Sequence, residues 1–168
     1  MGWLFHCDPR YKRDDLIQDL RRPDRWSAGT TLLQACTKGN NHWYLAKTDD
    51  TIWIGLDLMQ GGGRTQGWGY KAMDETCGPY QTNCSITYVD KASPTDNEYA
   101  LKWREQVRQY HAAKKARPKY VTGLRVLFRG EIYTLLRPAA ARRGWEVSGP
   151  GGRVYRMRAK QLAEAEIT

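Results

Sequence analysis

The run Thr51–Met59 alternates cleanly between aliphatic and other side chains. The aliphatic residues at alternate positions are Ile52, Ile54, Leu56 and Leu58. Because successive side chains of a strand point to opposite faces, this period of two predicts a strand with one buried face. Two similar runs, Thr30–Thr37 and Trp43–Thr48, precede it across short polar links. Such links are typical of hairpins, so the sequence predicts an antiparallel meander.

A long helix is predicted over residues 95–117, within the segment SPTDNEYALKWREQVRQYHAAKKARP. Thr95 and Glu98 have the spacing of a capping box at its start, and Pro118 closes the far end. At about 100° per residue, four large side chains form a stripe that we expect to face the core. They are Tyr99, Trp103, Val107 and Tyr110. The helix is therefore expected to cover one face of the meander.

Shorter elements precede the meander. A strand is predicted at Trp3–His6, and a helix near Asp14–Arg22 that Pro23 ends. This helix has acids at its start and arginines at its end, which suits the helix dipole. Together these elements predict an α+β domain over residues 1–118, with helices packed on an antiparallel sheet.

Residues 119–168 have the pattern of a small all-β unit with a short helical tail. GLRVLFRGEIYTLLRPAA predicts two strands about a tight turn at Arg129 and Gly130, GWEVS a third strand and RVYRMRA a fourth. A glycine followed by V-x-F, then G-W-x-V and a closing Y-R, resembles the SH3-like small barrels of many nucleic-acid-associated proteins. This resemblance implies a small closed barrel, and the alternation of side chains along its strands predicts an arginine-rich outer face.

The net charge of +9 is unevenly distributed. Residues 1–100 hold 11 Lys and Arg against 13 Asp and Glu, a net charge of −2. Residues 101–168 hold 16 against 5, a net charge of +11. Clustered lysines and arginines raise the local potential where phosphates bind. The asymmetry predicts a polyanion-binding C-terminal part, and the alternative is an ordinary solvated basic surface.

Two sets of basic residues are candidates for binding nucleic acid or another partner. The first is a second stripe on the long helix, about 100° from the apolar one: Arg104, Arg108, His111 and Lys115. The second lies on the predicted barrel, pointing away from its apolar side chains: Arg125, Arg129, Arg156 and Arg158. We expect the arginines and lysine of both sets to face solvent, and a merely solvated helix face is the alternative for the first.

The stretch GGGRTQGWGYKAMDETCGP, residues 61–79, is rich in glycine. It lacks the third glycine of a dinucleotide fingerprint, where Gln66 stands, and the lysine of a P-loop, where Trp68 stands. Both nucleotide-binding interpretations therefore fail on an essential residue. Trp68 and Tyr70 either stack on a ligand or pack the loop onto the protein.

Asp74 and Glu75 follow this glycine-rich stretch. Carboxylates beside a loop can serve as acid and base, so the alternative function is a small enzyme with a cleft at Gly61–Gly69. Solvated charges at a helix start are the simpler interpretation, because acids are favoured there.

No metal or cofactor is expected. Cys77 and Cys84 have six residues between them, which matches no common zinc spacing, so buried free thiols are predicted. His6, Cys7 and Asp8 bring base, nucleophile and carboxylate together in sequence, but neighbours on a strand point to opposite faces. No apolar run reaches the roughly 20 residues of a membrane helix, and no signal-peptide pattern opens the chain. A cytoplasmic protein without membrane contact is predicted.

The block WGYKAMDETCGPYQTNC and the helix SPTDNEYALKWREQVR, with the MGW start and His6, resemble a family of short uncharacterised proteins of plasmids, integrated elements and phages. Residues Gly2–Arg108 carry this resemblance. It implies no catalytic residue, but it implies an accessory role in a mobile element, and such proteins often act against host defence. We therefore predict a non-enzymatic protein that binds nucleic acid or a host nucleoprotein, such as a CRISPR or restriction complex.

Overall fold

The computed structural model describes residues 4–5, 8–63, 65–116, 118–140 and 144–168. The chain divides into two compact units, residues 1–116 and 117–168. The boundary predicted from the sequence lies two residues later, after Pro118. Each unit has its own sheet and its own hydrophobic core.

The first unit is built on a five-stranded antiparallel sheet with the spatial order β1-β5-β4-β3-β2. The strands are β1 (Leu4–Phe5), β2 (Thr30–Lys38), β3 (Asn41–Thr48), β4 (Thr51–Gly61) and β5 (Trp68–Asp74). Strands β2 to β5 are neighbours in sequence order, which is the predicted meander. Of the predicted strand Trp3–His6, residues 4 and 5 are β1, whereas Trp3, His6 and Cys7 lie outside the described residues.

Three helices pack on this sheet: α1 (Arg13–Leu20), α2 (Ile86–Lys91) and α3 (Glu98–Ala116). Short 3₁₀ turns lie at Pro23–Arg25 and Glu75–Cys77. The predicted α+β class is confirmed, although α2 was not predicted. Helix α3 is capped by Asn97 and not by Thr95, because the Asn97 Oδ1 accepts the Ala100 N–H at 2.9 Å.

Helices α2 and α3 cover one face of the sheet. Four strand side chains that point toward them are at most 1% exposed: Trp43, Leu45, Ile54 and Leu56. Trp103 and Val107 of α3 pack into the same cluster, where the ring centroids of Trp43 and Trp103 lie 5.6 Å apart. Burying each such side chain contributes roughly 1.5–3 kcal/mol. This layer is the main core of the first unit.

Helix α3 turns a different face to this core from the predicted one. Tyr99 and Tyr110 of the predicted apolar stripe are 67% and 38% exposed. The buried residues of α3 are Ala100, Trp103, Arg104 and Val107. The prediction used only large apolar side chains and so left Arg104 out of the buried stripe, although the spacing of Arg104 places it on that stripe. The prediction that Tyr99 and Tyr110 face the core is wrong.

Helix α1 and the 3₁₀ turn after it cover the opposite face of the sheet. Leu16 and Leu20 pack there against Met59. Arg25 donates to both carboxylate oxygens of Asp57 at 2.9 and 2.8 Å, and to the Leu20 carbonyl at 3.0 Å. Asp57 is fully buried, so its charge requires this partner. Arg25 thereby fastens the end of α1 to β4.

Aromatic rings surround the Arg25 guanidinium. Its central carbon lies 4.9, 5.6 and 5.1 Å from the ring centroids of Trp26, Tyr44 and Tyr70, which adds cation–π attraction to the ion pair. The Tyr44 ring lies across Gly55, where a Cβ atom would come within 2.1 Å of ring atoms. Only glycine leaves room for this ring.

The second unit is also a five-stranded antiparallel sheet, with the order β10-β6-β7-β8-β9. Its elements are β6 (Arg125–Phe128), β7 (Glu131–Pro138), β8 (Gly144–Ser148), β9 (Val154–Arg158), α4 (Ala159–Ala163) and β10 (Glu166–Ile167). Arg129 and Gly130 form the predicted tight turn with φ values of 53° and 82°. Such a two-residue turn matches the twist of the strands. Strand β10 was not predicted.

The second unit has one apolar face, built from alternate residues of its strands and from α4. Val126, Leu135, Val147 and Leu162 are at most 1% exposed and form its core. In the described pairing, β9 and β10 lie at opposite edges of the sheet and do not pair. The predicted closure into an SH3-like barrel is therefore not confirmed.

His42 is a buried titratable side chain on β3, 0% exposed. Its Nδ1 lies 2.8 Å from the Thr37 hydroxyl, and its Nε2 has no hydrogen-bond partner among the described residues. Burial lowers the pKa of His42 to about 4, and the cations of Arg21, Arg25 and Arg13 act in the same direction. His42 is therefore neutral in the folded protein near neutral pH.

We expect His42→Gln to remove part of the acid sensitivity of folding. The unfolded chain binds a proton at His42 near the ordinary pKa of about 6.5, whereas the folded chain binds it only near about 4. Folding stability is lost as the pH falls through this window, by on the order of 3 kcal/mol, and the variant lacks this loss. Urea unfolding of both proteins across the window measures the difference. A difference that stays constant with pH would contradict the expectation.

Candidate functional site

Arg104 was predicted to face solvent, but it is only 6% exposed. Its Nε donates to Glu75 Oε2 at 2.6 Å, and its Nη2 donates to Glu75 Oε1 at 3.0 Å. Its Nη1 donates to the Ser93 carbonyl at 2.9 Å. A guanidinium buried with a bidentate carboxylate has a structural role. The predicted exposure of Arg104 is wrong, because Glu75 provides a buried anion for it.

The other members of the helix stripe do not form a continuous basic surface. His111 is half-buried, and its Nε2 lies 2.7 Å from the Cys84 carbonyl oxygen. Arg108 is exposed and lies 3.9 Å from Glu105. Lys115 is exposed near the end of α3. Because two of the four residues turn inward, the predicted stripe is interrupted.

Asp74 and Glu75, the acid or base of the alternative enzymatic function, both have structural partners. The simpler prediction of solvated charges is wrong for Glu75, which is buried. The Asp74 carboxylate accepts the Thr76 N–H at 2.8 Å and also the Thr76 hydroxyl, so it caps the 3₁₀ turn. Glu75 is 4% exposed, and its Oε1 accepts the Ile54 N–H at 3.2 Å in addition to the Arg104 contacts. These hydrogen bonds hold both carboxylates in the framework of the first unit.

Trp68 and Tyr70, the predicted ligand-stacking residues, lie on β5 and pack beside α1. The hairpin before them is closed by the pairing of Gly61 with Trp68. Tyr70 lines a groove of about 260 Å³ beside α1. The two arginines of this groove are both paired, since Arg22 lies 2.7 Å from Asp24 and Arg25 binds the buried Asp57. The positions of Trp68 and Tyr70 therefore agree with the interpretation that they pack this segment onto the protein.

The second unit presents exposed arginines on the outer face of its sheet. Arg125 on β6 and Arg156 and Arg158 on β9 are exposed, as the alternation of strand side chains predicted. Arg137 on β7 lies on this face as well, but its Nε donates to Glu146 at 2.7 Å. Among the described residues, no carboxylate lies within ion-pair distance of the other three. Their positive charge is therefore available to a partner.

Arg129 stands apart from these arginines at the β6–β7 turn. Its guanidinium carbon lies 5.2 Å from the centroid of the Phe128 ring. Phe128 lines a groove of about 140 Å³ at one end of the sheet's inner face, together with Tyr133 and Tyr155. The ring centroids of these two tyrosines lie 6.0 Å apart, and Tyr155 is 43% exposed. This end of the unit combines cations with accessible aromatic rings.

A loop that no sequence motif marked as functional lies on the first unit. We call residues 77–81 the Tyr80 loop. Its first residue, Cys77, is exposed, so the prediction of buried thiols is wrong for Cys77, whereas Cys84 is buried. Tyr80 at its apex is 98% exposed. Gly78 takes a left-handed conformation with φ of 58°, and its N–H donates to the Glu75 carbonyl at 3.0 Å. A Gly-Pro pair such as Gly78-Pro79 marks a turn in a sequence, but the exposure of Tyr80 depends on the packing around it.

Two grooves flank the Tyr80 loop. One has a volume of about 260 Å³ and is lined by Leu58, Lys71, Met73 and the loop. The other has a volume of about 360 Å³ and is lined by residues of α3 and the loop, including Tyr99 and Lys102. The loop therefore forms a ridge between two concave surfaces.

Comparison with family models, curated proteins and solved structures gives no match to this chain. Within the part of the chain that the structure describes, no group of three His, Cys, Asp or Glu residues is placed to hold a metal. No described helix combines the length and apolar character needed to cross a membrane. The function is therefore inferred from the surfaces of the chain itself.

Breaking the Glu75–Arg104 pair should destabilise the first unit strongly. Glu75→Gln leaves a buried guanidinium without its anion, which costs roughly 3–5 kcal/mol. Replacing both residues, as Glu75→Leu with Arg104→Met, should recover much of this loss because no charge is left buried. Chemical unfolding of the full chain measures the free energy of each variant.

The matched control is Glu105→Gln, which removes the same charge from the exposed pair of Glu105 with Arg108 on α3. The Glu105 and Arg108 side chains are 56% and 50% exposed, so this change should cost less than about 1 kcal/mol. If Glu75→Gln destabilises no more than the control does, the buried pair does not have the role assigned to it.

Proposed function

We propose that this protein binds nucleic acid through the outer face of its second sheet. The observation that supports the proposal is the set of exposed arginines Arg125, Arg156 and Arg158, which lack an ion-pair partner among the described residues. Guanidinium groups bind phosphate oxygens and release condensed counterions from the nucleic acid. Binding of this kind depends strongly on salt and weakly on base sequence.

The charge distribution favours a phosphate backbone over other anions. Glu146 neutralises Arg137 on this face and lies opposite Arg156 in the strand register. Arg156 and Arg158 project from the same side of β9, because they are two residues apart on a strand. A chain of phosphates can engage both of them and Arg125 together, whereas a single small anion contacts fewer.

The inner end of the same sheet offers a second kind of contact. Tyr133 and Tyr155 lie at the mouth of a groove with Arg156, and Arg129 stacks on the neighbouring Phe128. Aromatic rings beside cations stack on unpaired bases, and each such contact contributes roughly 1–3 kcal/mol. We include this groove in the proposed surface, which favours single-stranded regions.

We also propose that the second unit is related to the SH3-like barrels and that the protein serves a mobile element. In the second unit the last strand lies beside the first after a short helix, an order compatible with a small curved barrel. A host nucleoprotein, such as an RNA-guided nuclease, presents the same phosphates as free nucleic acid. The proposed target is therefore nucleic acid, alone or within a host defence complex.

Charge reversal of Arg125, Arg156 and Arg158 to Glu should weaken binding to a labelled single-stranded oligonucleotide. We expect the slope of log affinity against log salt to become shallower by about 0.7 for each phosphate that the variant no longer binds. Because the three side chains are exposed, folding should survive within about 0.5 kcal/mol per site. Fluorescence anisotropy across a salt series gives both the affinity and the slope.

A matched triple variant on α3 serves as the control. Arg108, Lys114 and Lys115 are exposed, so their reversal to Glu changes the net charge equally in the other unit. Its binding and its salt slope should remain close to those of the unchanged protein. Equal losses of affinity in the two triple variants, or no binding by the unchanged protein at low salt, would overturn the proposal.

A further inference from the structure

We infer that the Tyr80 loop is a docking site for an acidic protein segment that carries an apolar side chain. The loop and its two grooves lie entirely on the first unit, so this inference is independent of the nucleic-acid surface proposed for the second. It follows from three properties of the loop: its fixed conformation, its exposed aromatic side chains and the charges of its grooves.

The loop is held at both ends by hydrogen bonds of buried side chains. On one side, Glu75 is fixed by Arg104 and by the Ile54 N–H. On the other side, the Gln81 carbonyl accepts the Trp103 Nε1–H at 2.9 Å. Asn83 continues this bracing, since its Oδ1 accepts the Trp43 Nε1–H at 2.9 Å. A loop fixed in this way loses little conformational entropy when a partner binds.

The fixed loop and the adjacent first turn of α3 present aromatic side chains to solvent. Tyr80 is 98% exposed and Tyr99 is 67% exposed. The Tyr99 side chain lies against the loop, where a Cβ atom on Gly78 would be 3.6 Å from that of Tyr99. Tyrosine is enriched among the residues that contribute most to protein interfaces. Burial of these two rings by a partner would therefore contribute strongly to binding.

The residues that line the two grooves indicate which side chains a partner would need. Leu58 and Met73 give one groove an apolar floor that suits an aliphatic side chain. Lys71 lies in that groove and Lys102 in the other, and among the residues that the structure describes neither lining includes a carboxylate. A partner with acidic residues on both sides of an apolar anchor therefore complements the ridge and its flanks.

A protein segment fits this surface better than nucleic acid does. Each groove provides a single lysine, whereas phosphate binding relies on several cations along the backbone. The Gln81 and Gln106 side chains add amide donors and acceptors to the two grooves, which suit a peptide backbone. The aliphatic floor at Leu58 and Met73 is matched by an apolar side chain and not by a phosphate.

The test begins with selection of short random peptides from a displayed library on the full chain. We expect the selected peptides to combine Asp or Glu with a large apolar residue. Their affinity for the purified chain, measured by fluorescence anisotropy, should fall by about tenfold or more in Tyr80→Ser and in Lys102→Glu. Both altered side chains are exposed, so circular dichroism of the variants should remain unchanged.

Lys160→Glu is the matched control, because it makes the same charge change on an exposed residue of the other unit. Peptide affinity in this variant should stay within about twofold of the unchanged protein. The inference is overturned if Lys160→Glu weakens binding as much as Lys102→Glu, or if the peptides bind Tyr80→Ser equally well. It is also overturned if the selected peptides lack acidic residues.

A single-stranded oligonucleotide serves as the competing probe. The Tyr80→Ser variant should bind it as tightly as the unchanged protein does. A loss of oligonucleotide affinity in this variant would assign nucleic acid to the loop and overturn the docking of a protein segment. Failure of peptide binding with intact oligonucleotide binding would overturn the docking site and leave the function proposed for the second unit in place.

Discussion

The buried ion pair between Glu75 and Arg104 is the interaction on which the first unit depends. Through it, the 3₁₀ turn after β5 is joined to α3, to the Ser93 carbonyl and to the backbone of β4 at Ile54. Because an unpaired charge at this depth is strongly destabilising, the pair fixes which face of α3 meets the sheet. The exposure of Tyr99 and the direction of the Tyr80 loop both follow from that choice.

A second cation has the same role on the opposite face of the sheet. Arg25 pairs with the buried Asp57 of β4 and contacts three aromatic rings. Because it also donates to the Leu20 carbonyl, it joins the end of α1 to β4. Burial raises the pKa of Asp57 to about 6, while the guanidinium of Arg25 opposes this shift. Each face of the meander is thus closed by apolar packing around one paired arginine, Arg104 on one face and Arg25 on the other.

The two units consequently offer different surfaces. The second unit keeps Arg125, Arg156 and Arg158 exposed, because its small core takes up only the alternate apolar residues of each strand. The first unit exposes a braced loop with Tyr80 at its apex, flanked by one lysine in each groove. The nucleic-acid surface proposed for the second unit and the docking ridge inferred for the first would together let this protein bind a nucleic acid and a protein partner.

The sequence by itself determined most of the secondary structure, the meander and the exposed arginines of β6 and β9, because these depend on local periodicity and turn chemistry. It also located the long helix to within a few residues. Only the tertiary structure decided that Arg104 is buried and that Tyr99 is exposed, since the partner carboxylate lies 29 residues away in the chain. The Tyr80 loop and the edge strand β10 are likewise features that only the tertiary structure decided. Whether a side chain is buried depends on what packs against it, and local periodicity does not contain that information.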